Sequence, residues 1–131
     1  MPAIVLKSDT LALTVIDNDC GFEQFFSRQI PGLAQRGDVT LGISTNGESQ
    51  NVIRGLILAR ELGLAMLGFT GRNGGEMRNL VDLCLCVPPS STPRVQKAHT
   101  QIGHILTGIV ENDLQSKRKP KFSDRLMTCS R

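Results

Sequence analysis

Val39-Thr40-Leu41-Gly42-Ile43 runs directly into Ser44-Thr45-Asn46-Gly47-Glu48-Ser49, and this junction between apolar and polar sequence decides the fold. The first segment follows the turn Arg36-Gly37-Asp38 and has little polar content, which predicts a strand covered on both faces. Beyond Ser49, Val52, Ile53, Leu56, Ile57 and Ala59 or Arg60 form one apolar stripe, as a helix closing at Gly63 requires. The order strand, polar loop, helix then recurs. Leu64 to Phe69 is a second strand, Thr70-Gly71-Arg72-Asn73-Gly74-Gly75 a loop, Glu76 to Leu80 a short helix, and Leu83 to Val87 a further strand. Such alternation predicts an α/β protein: a parallel sheet with right-handed crossovers and helices on both faces.

Outward from this centre, Ala3-Ile4-Val5-Leu6, bounded by Ser8-Asp9, reads as a buried strand, and Thr10 to Ile16 as a short helix. Phe22, Phe25, Phe26 and Ile30 recur at helical spacing, predicting one helix over Glu23 to Leu33 with Pro31 limiting it near its end. On the other side, Pro88-Pro89-Ser90-Ser91-Thr92-Pro93 precedes a long helix from about Arg94 to Leu114. Its stripe of Val95, Ala98, Ile102, Ile105, Leu106, Ile109 and Val110 is wide enough to pack on the sheet and meet a second chain. The remainder, 115–131, is a basic C-terminal tail containing Ser116-Lys117-Arg118-Lys119-Pro120-Lys121, expected as a solvated, partly disordered segment rather than an electrostatic tether.

Composition narrows the class. The 131 residues are 40% hydrophobic and 21% charged with a net charge of +3, which excludes disorder and collagen-like repeats. No apolar run reaches the roughly 18 to 20 residues of a membrane span, and the start lacks a signal-peptide pattern, so no membrane partner and a cytoplasmic location are expected. Aromatics are 4%, without Trp or Tyr, which argues against a nucleic-acid surface built on base stacking. Cys20, Cys84, Cys86 and Cys129 form no C-x-x-C pair and are expected to be reduced and structural, Cys84 and Cys86 facing one side of a strand.

A polar loop between a strand end and a helix start is an anion site. Unpaired backbone N–H groups and the positive end of the helix dipole meet there, and the hydroxyls of Ser44, Thr45 and Ser49 with the Asn46 amide suit a phosphate. The loop is neither a Walker sequence nor G-x-G-x-x-G. Capping of the helix by Ser49, worth about 1 kcal/mol, would account for one hydroxyl but not three. Glu48 adds a negative charge, so its side chain has to point away from a bound phosphate.

Three segments, Gly37-Asp38-Val39, Leu41 to Ser49, and Gly68-Phe69-Thr70 through Gly75, in this order and spacing, resemble the sugar isomerase (SIS) domain, and within it the phosphoheptose isomerases. Asn18-Asp19 before Gly21-Phe22, and Arg94-Val95-Gln96 with His99 and His104, fit the same pattern. The resemblance runs from about Pro2 to Leu114, making 1–114 a partial SIS domain. It implies a three-layer, flavodoxin-like or Rossmann-like sheet.

By resemblance, Ser44, Thr45, Asn46 and Ser49 hold the sugar phosphate, with Asn46 where the family has Ser and Glu48 where it has Asn. Asn18 and Asp19 contact the sugar; Gln96 and His104 bind zinc in zinc-containing members, and Gln96 also faces the substrate. His104 is the acid/base candidate. The activity implied is aldose–ketose isomerisation of sedoheptulose 7-phosphate through an enediol, in heptose and lipopolysaccharide precursor synthesis. That chemistry needs a base, an acid and a polarised carbonyl, and a histidine suits the proton transfer near neutral pH. By itself, a lone His on an apolar helix is more often a packing residue.

Gln96 and His104 lie eight residues apart, roughly 12 Å of helix, so either the helix starts after Gln96 or a neighbouring subunit completes a metal site. The resemblance implies a homo-oligomer, a tetramer in the family. It also implies a preceding strand with a Gly-Asn-Gly-Gly-Ser loop and a helix bearing the catalytic Glu and a metal-binding His, and this chain contains no such sequence. In the family sheet that strand lies between those matching Ala3 to Lys7 and Val39 to Ile43. The expectation is therefore an N-terminally truncated product with weak or no isomerase activity alone. Two other functions compete: a non-catalytic interaction protein similar to the replication-initiator-associating protein, and a sugar-phosphate sensor, which is disfavoured because no helix-turn-helix segment is visible.

Overall fold

The computed structural model describes residues 2–6, 21–88 and 91–118. Phe22–Gln24 form a 3-10 turn that continues into α1 (Phe25–Leu33), with Phe25 and Ile30 buried. Pro31 lies in the last turn of α1, where its missing N–H removes one helical bond near the end instead of breaking the interior. Then follow β1 (Val39–Ser44), α2 (Gln50–Glu61), β2 (Ala65–Gly71), a 3-10 turn (Glu76–Asn79), β3 (Leu83–Val87) and α3 (Thr92–Arg118).

The strands form one parallel sheet in the order β1-β2-β3, with Gly42 opposite Gly68 and Gly68 opposite Cys84. Alternation along each strand sends Gly42, Ser44, Met66, Gly68, Thr70, Cys84 and Cys86 to the same face. Val52 and Leu56 of α2 lie directly over Gly42, and Met77 and Val81 over Gly68. The central cluster is Leu56, Ala59, Leu64, Met66 and Met77. Burial of side chains of this size contributes about 1.5 to 3 kcal/mol each. The opposite face leaves Val39, Leu41, Ile43, Leu83 and Leu85 exposed, while Phe69 between them is buried, so β1 is covered on one face and not on both as its apolar sequence predicts.

Two further expectations need correction. Ala3 to Leu6 is irregular backbone, and Ile4 and Val5 are 63% and 70% exposed. A strand is stabilised by the ladder to its neighbour, and the sheet described here has β1 as its outermost strand. The segment from Glu76 is a single 3-10 turn, since only one turn of chain separates Gly75 from the bend into β3. The expected helix over Thr10 to Ile16 lies outside the described residues.

Compact units comprise Met1–His99 and Thr100–Arg131, and α3 contributes to both. In the first, Val95 and His99 of α3 are buried. In the second, Ile105 and Ile109 are exposed, and the helix runs past Leu114 to Arg118, into the sequence assigned to the tail. The Asp113–Lys117 pair at 2.7 Å is an (i, i+4) pair of the favourable orientation, which supports that extension. No helix among the described residues is long and apolar enough to cross a membrane.

Candidate phosphosugar site

Ser44 ends β1 and Ser49 precedes α2, so the intervening loop is anchored by one rigid element at each end. The Ser44 hydroxyl, only 5% exposed as a residue, is the loop's internal hub. It donates to Asn46 Oδ1 at 3.1 Å and accepts the Gly47 N–H at 3.1 Å. Its one proton being used, the 2.8 Å contact between Ser44 Oγ and Ser49 Oγ has Ser49 as donor. Asn46 Oδ1 also accepts the Glu48 N–H at 3.1 Å. Ser49 thus occupies the N-cap position without a side-chain capping bond, and its hydroxyl closes the loop instead.

These bonds divide the loop's polar groups into two sets. Ser44, Ser49 and the Asn46 carbonyl shape the loop. The Thr45 hydroxyl and the Asn46 amide NH2 have no hydrogen bond among the described residues, and the N–H groups of Gln50 and Asn51 in the first turn of α2 have no partner four residues back within the helix. Those donors, with the helix dipole, are the ones an anion would meet.

The loop is braced from β2's side. Gly47 has φ 73°, and a Cβ there would lie 2.0 Å from the Gly74 carbonyl oxygen, so only glycine permits this approach. The Gly47 carbonyl accepts the Met77 N–H at 3.1 Å. Glu48 Oε1 accepts the Glu76 N–H at 3.1 Å, at the start of the 3-10 turn. The carboxylate is therefore engaged by the neighbouring loop.

Behind the loop, Thr70 pairs with Ser44 across the sheet. His99 is 5% exposed, and its Nε2 lies 2.9 Å from the Thr70 carbonyl oxygen. A carbonyl only accepts, so Nε2 carries the proton and donates. Nδ1 is buried with no partner among the described residues, and the ring lies 5.9 Å from that of Phe69. No role for His99 is legible in the sequence, because its partner is a backbone carbonyl and side-chain pattern carries no signal for it. Gly74 and Glu76, also braces of the loop, are legible in the sequence only as part of the Gly-rich loop and as the start of the short helix after it.

The remaining candidates are not gathered at this loop by any described contact. Gln96 and His104 are both exposed residues of α3. The helix starts at Thr92, so the possibility that it begins after Gln96 is excluded. Asn18 and Asp19 lie outside the described residues. No group of three His, Cys, Asp or Glu side chains among the described residues could hold a metal ion.

The fold and the loop together define a parallel-sheet domain with a hydroxyl-rich loop at the carboxyl end of a strand, and the model of the SIS domain family matches residues 23–103. The chain belongs to the SIS domain family. Its relatives include the phosphoheptose isomerases of Nitratiruptor sp., 50% identical over 111 residues covering 85% of this chain and 59% of the relative, and of Geobacter sulfurreducens, 50% identical over 114 residues covering 87% and 60%. The structure of phosphoheptose isomerase from Neisseria gonorrhoeae superposes with a TM-score of 0.82 at 39% identity, covering 84% of this chain and 61% of that one. The chain thus spans about 60% of the length of the curated relatives it matches.

Proposed function

We propose that the chain binds a sugar phosphate and belongs to the machinery of aldose–ketose isomerisation of the sedoheptulose 7-phosphate type. The observation that carries this is the Ser44 to Ser49 loop, whose internal bonds leave the Thr45 hydroxyl, the Asn46 amide and the first turn of α2 as anion donors. Similarity to phosphoheptose isomerases supports the substrate class. Asn18, Asp19 and Gln96 would orient the sugar, and His104 would transfer the proton between adjacent carbons. A cytoplasmic location and a homo-oligomer, tetrameric as the resemblance implies, complete the reading, the exposed Ile105 and Ile109 being available for subunit contact.

Zinc would supply carbonyl polarisation where it binds. Gln96 and His104 are the two ligands this chain offers by resemblance, and the described residues hold no set of three His, Cys, Asp or Glu side chains for it. Gln96 and His104 alone do not make a site for the zinc of this reaction, so no step is routed through it.

The test is thermal unfolding with and without sedoheptulose 7-phosphate, beside an isomerase assay with and without added zinc. A ligand that binds only the folded chain raises its melting temperature, by about 2.7 kcal/mol of stabilisation at a hundred times Kd. A shift with the sugar phosphate but not with the unphosphorylated sugar supports the reading. No shift at millimolar ligand would overturn it and favour a protein that acts through partner binding alone.

A further inference from the structure

Cys84 and Cys86 are two residues apart on β3, so both side chains leave the same face of the strand. Their sulfurs lie 3.7 Å apart, both thiols are free, and both residues are half-buried. Thr70 of the neighbouring strand donates its hydroxyl to Cys86 Sγ at 3.3 Å and lies 3.8 Å from Cys84 Sγ. The phosphosugar reading uses neither thiol.

Two chemistries are open to such a pair, and the strand geometry separates them. A disulfide needs sulfurs about 2.05 Å apart and Cα atoms within about 6.8 Å. Two residues of parallel strand already set the Cα atoms about 6.6 Å apart, so closure would pull the backbone near its limit. Tetrahedral coordination with metal–sulfur bonds of about 2.3 Å spans about 3.8 Å between two sulfurs. The 3.7 Å contact between the two thiols matches that span.

We propose that Cys84 and Cys86 form a two-thiolate site for a thiophilic divalent cation of tetrahedral preference, separate from Gln96 and His104. Since no third His, Cys, Asp or Glu side chain joins them among the described residues, water or a small exogenous ligand fills the other positions. On binding, two S–H bonds break and release their protons to solvent, and two metal–sulfur bonds replace two metal–water bonds; nothing is oxidised or reduced. Soft thiolates select zinc and cadmium over magnesium or calcium. The site abuts the phosphate loop's brace, because a Cβ on Gly74 would lie 3.0 Å from Cys86 Sγ, and the Gly74 carbonyl packs against Gly47.

Titration of the chain with Cd2+, read by the ultraviolet sulfur-to-cadmium charge-transfer band, tests this. A Cys20→Ser/Cys129→Ser variant is expected to keep the band at one ion per chain. Cys84→Ser and Cys86→Ser should each weaken binding by more than the ~10 to 100-fold typical of losing an outer-shell group. Release of two protons per ion predicts that affinity rises about 100-fold per pH unit where the free site holds both protons. In the unsubstituted chain, which needs no variant to fold, one equivalent of Cd2+ should protect Cys84 and Cys86 together from alkylation mapped by mass spectrometry. A band that survives Cys86→Ser, a band lost in the Cys20/Cys129 variant, or saturation at one ion per two chains would overturn the proposal.

Discussion

The Ser49 hydroxyl donates to the Ser44 hydroxyl across 2.8 Å, tying the end of β1 to the start of α2 through side chains alone. This bond, with those from Ser44 to Asn46 and from Gly47 to Ser44, fixes the loop before any ligand arrives. A loop fixed in this way presents its free donors without first losing conformational entropy, which favours affinity.

Ser44 and Thr45 are therefore expected to behave differently when substituted. Ser44→Ala leaves the buried Gly47 N–H without its acceptor and should lower stability by about 1 to 3 kcal/mol in urea unfolding, with phosphosugar binding lost as a consequence. Thr45→Val, which removes a hydroxyl that bonds to nothing among the described residues, should leave the unfolding midpoint unchanged and weaken binding of the sugar phosphate by roughly tenfold, one charge-assisted hydrogen bond. Equal stability losses in both variants would contradict this division of labour.

Gly47→Ala tests the brace from the second loop. The new methyl would meet the Gly74 carbonyl at 2.0 Å in a backbone conformation with φ 73°, so strain and clash combine. A loss of more than about 2 kcal/mol is expected from chemical denaturation. Gly32, where a Cβ would meet nothing within 4 Å, is the control, expected to accept alanine without loss.

Much of this architecture was legible in the sequence because period and punctuation agree: the apolar runs at Val39 and Leu83 and the stripe from Val52 to Ala59 appear as β1, β3 and α2. The end of β2 was not, since Thr70 and Gly71 look like turn residues yet pair with Cys86 and Val87. Ala3 to Leu6 shows the other limit, because an apolar run reports burial propensity and not whether a strand stands beside it. In the site, residue types located the loop, but whether the Ser49 hydroxyl caps a helix or bonds to Ser44 depends on χ1, and the sequence is silent on that. The same holds for His99, whose partner is the Thr70 carbonyl.

Glu48 offers a test in which removing a charge should improve binding. Its Oε1 accepts the Glu76 N–H, a bond the amide oxygen of Glu48→Gln can still accept. The negative charge beside the anion donors is then gone. Affinity for the sugar phosphate should rise about two- to fivefold at low ionic strength, corresponding to ~0.5 to 1 kcal/mol of screened repulsion, and the gain should shrink as salt is added. Isothermal titration at two salt concentrations measures both effects, and weaker binding by the variant would show that the carboxylate itself holds the ligand.

The thiol pair gives the pH dependence its sign. Burial, the largest cause, pushes the Cys84 thiol above its ordinary value of 9.0, with the neighbouring Cys86 adding to the rise and the Thr70 hydrogen bond opposing it. Above that ordinary value the unfolded chain gives up the Cys84 proton more readily than the folded one, so the folded state binds more protons and stability falls as pH rises. The contribution is complete below pH 9.0 and declines through the alkaline range above it. Cys84→Ser removes the titrating group and should flatten this alkaline loss relative to the unsubstituted chain, in unfolding midpoints compared between neutral pH and the alkaline range. An unchanged alkaline slope in the variant would assign the loss to other groups and remove Cys84 from the account.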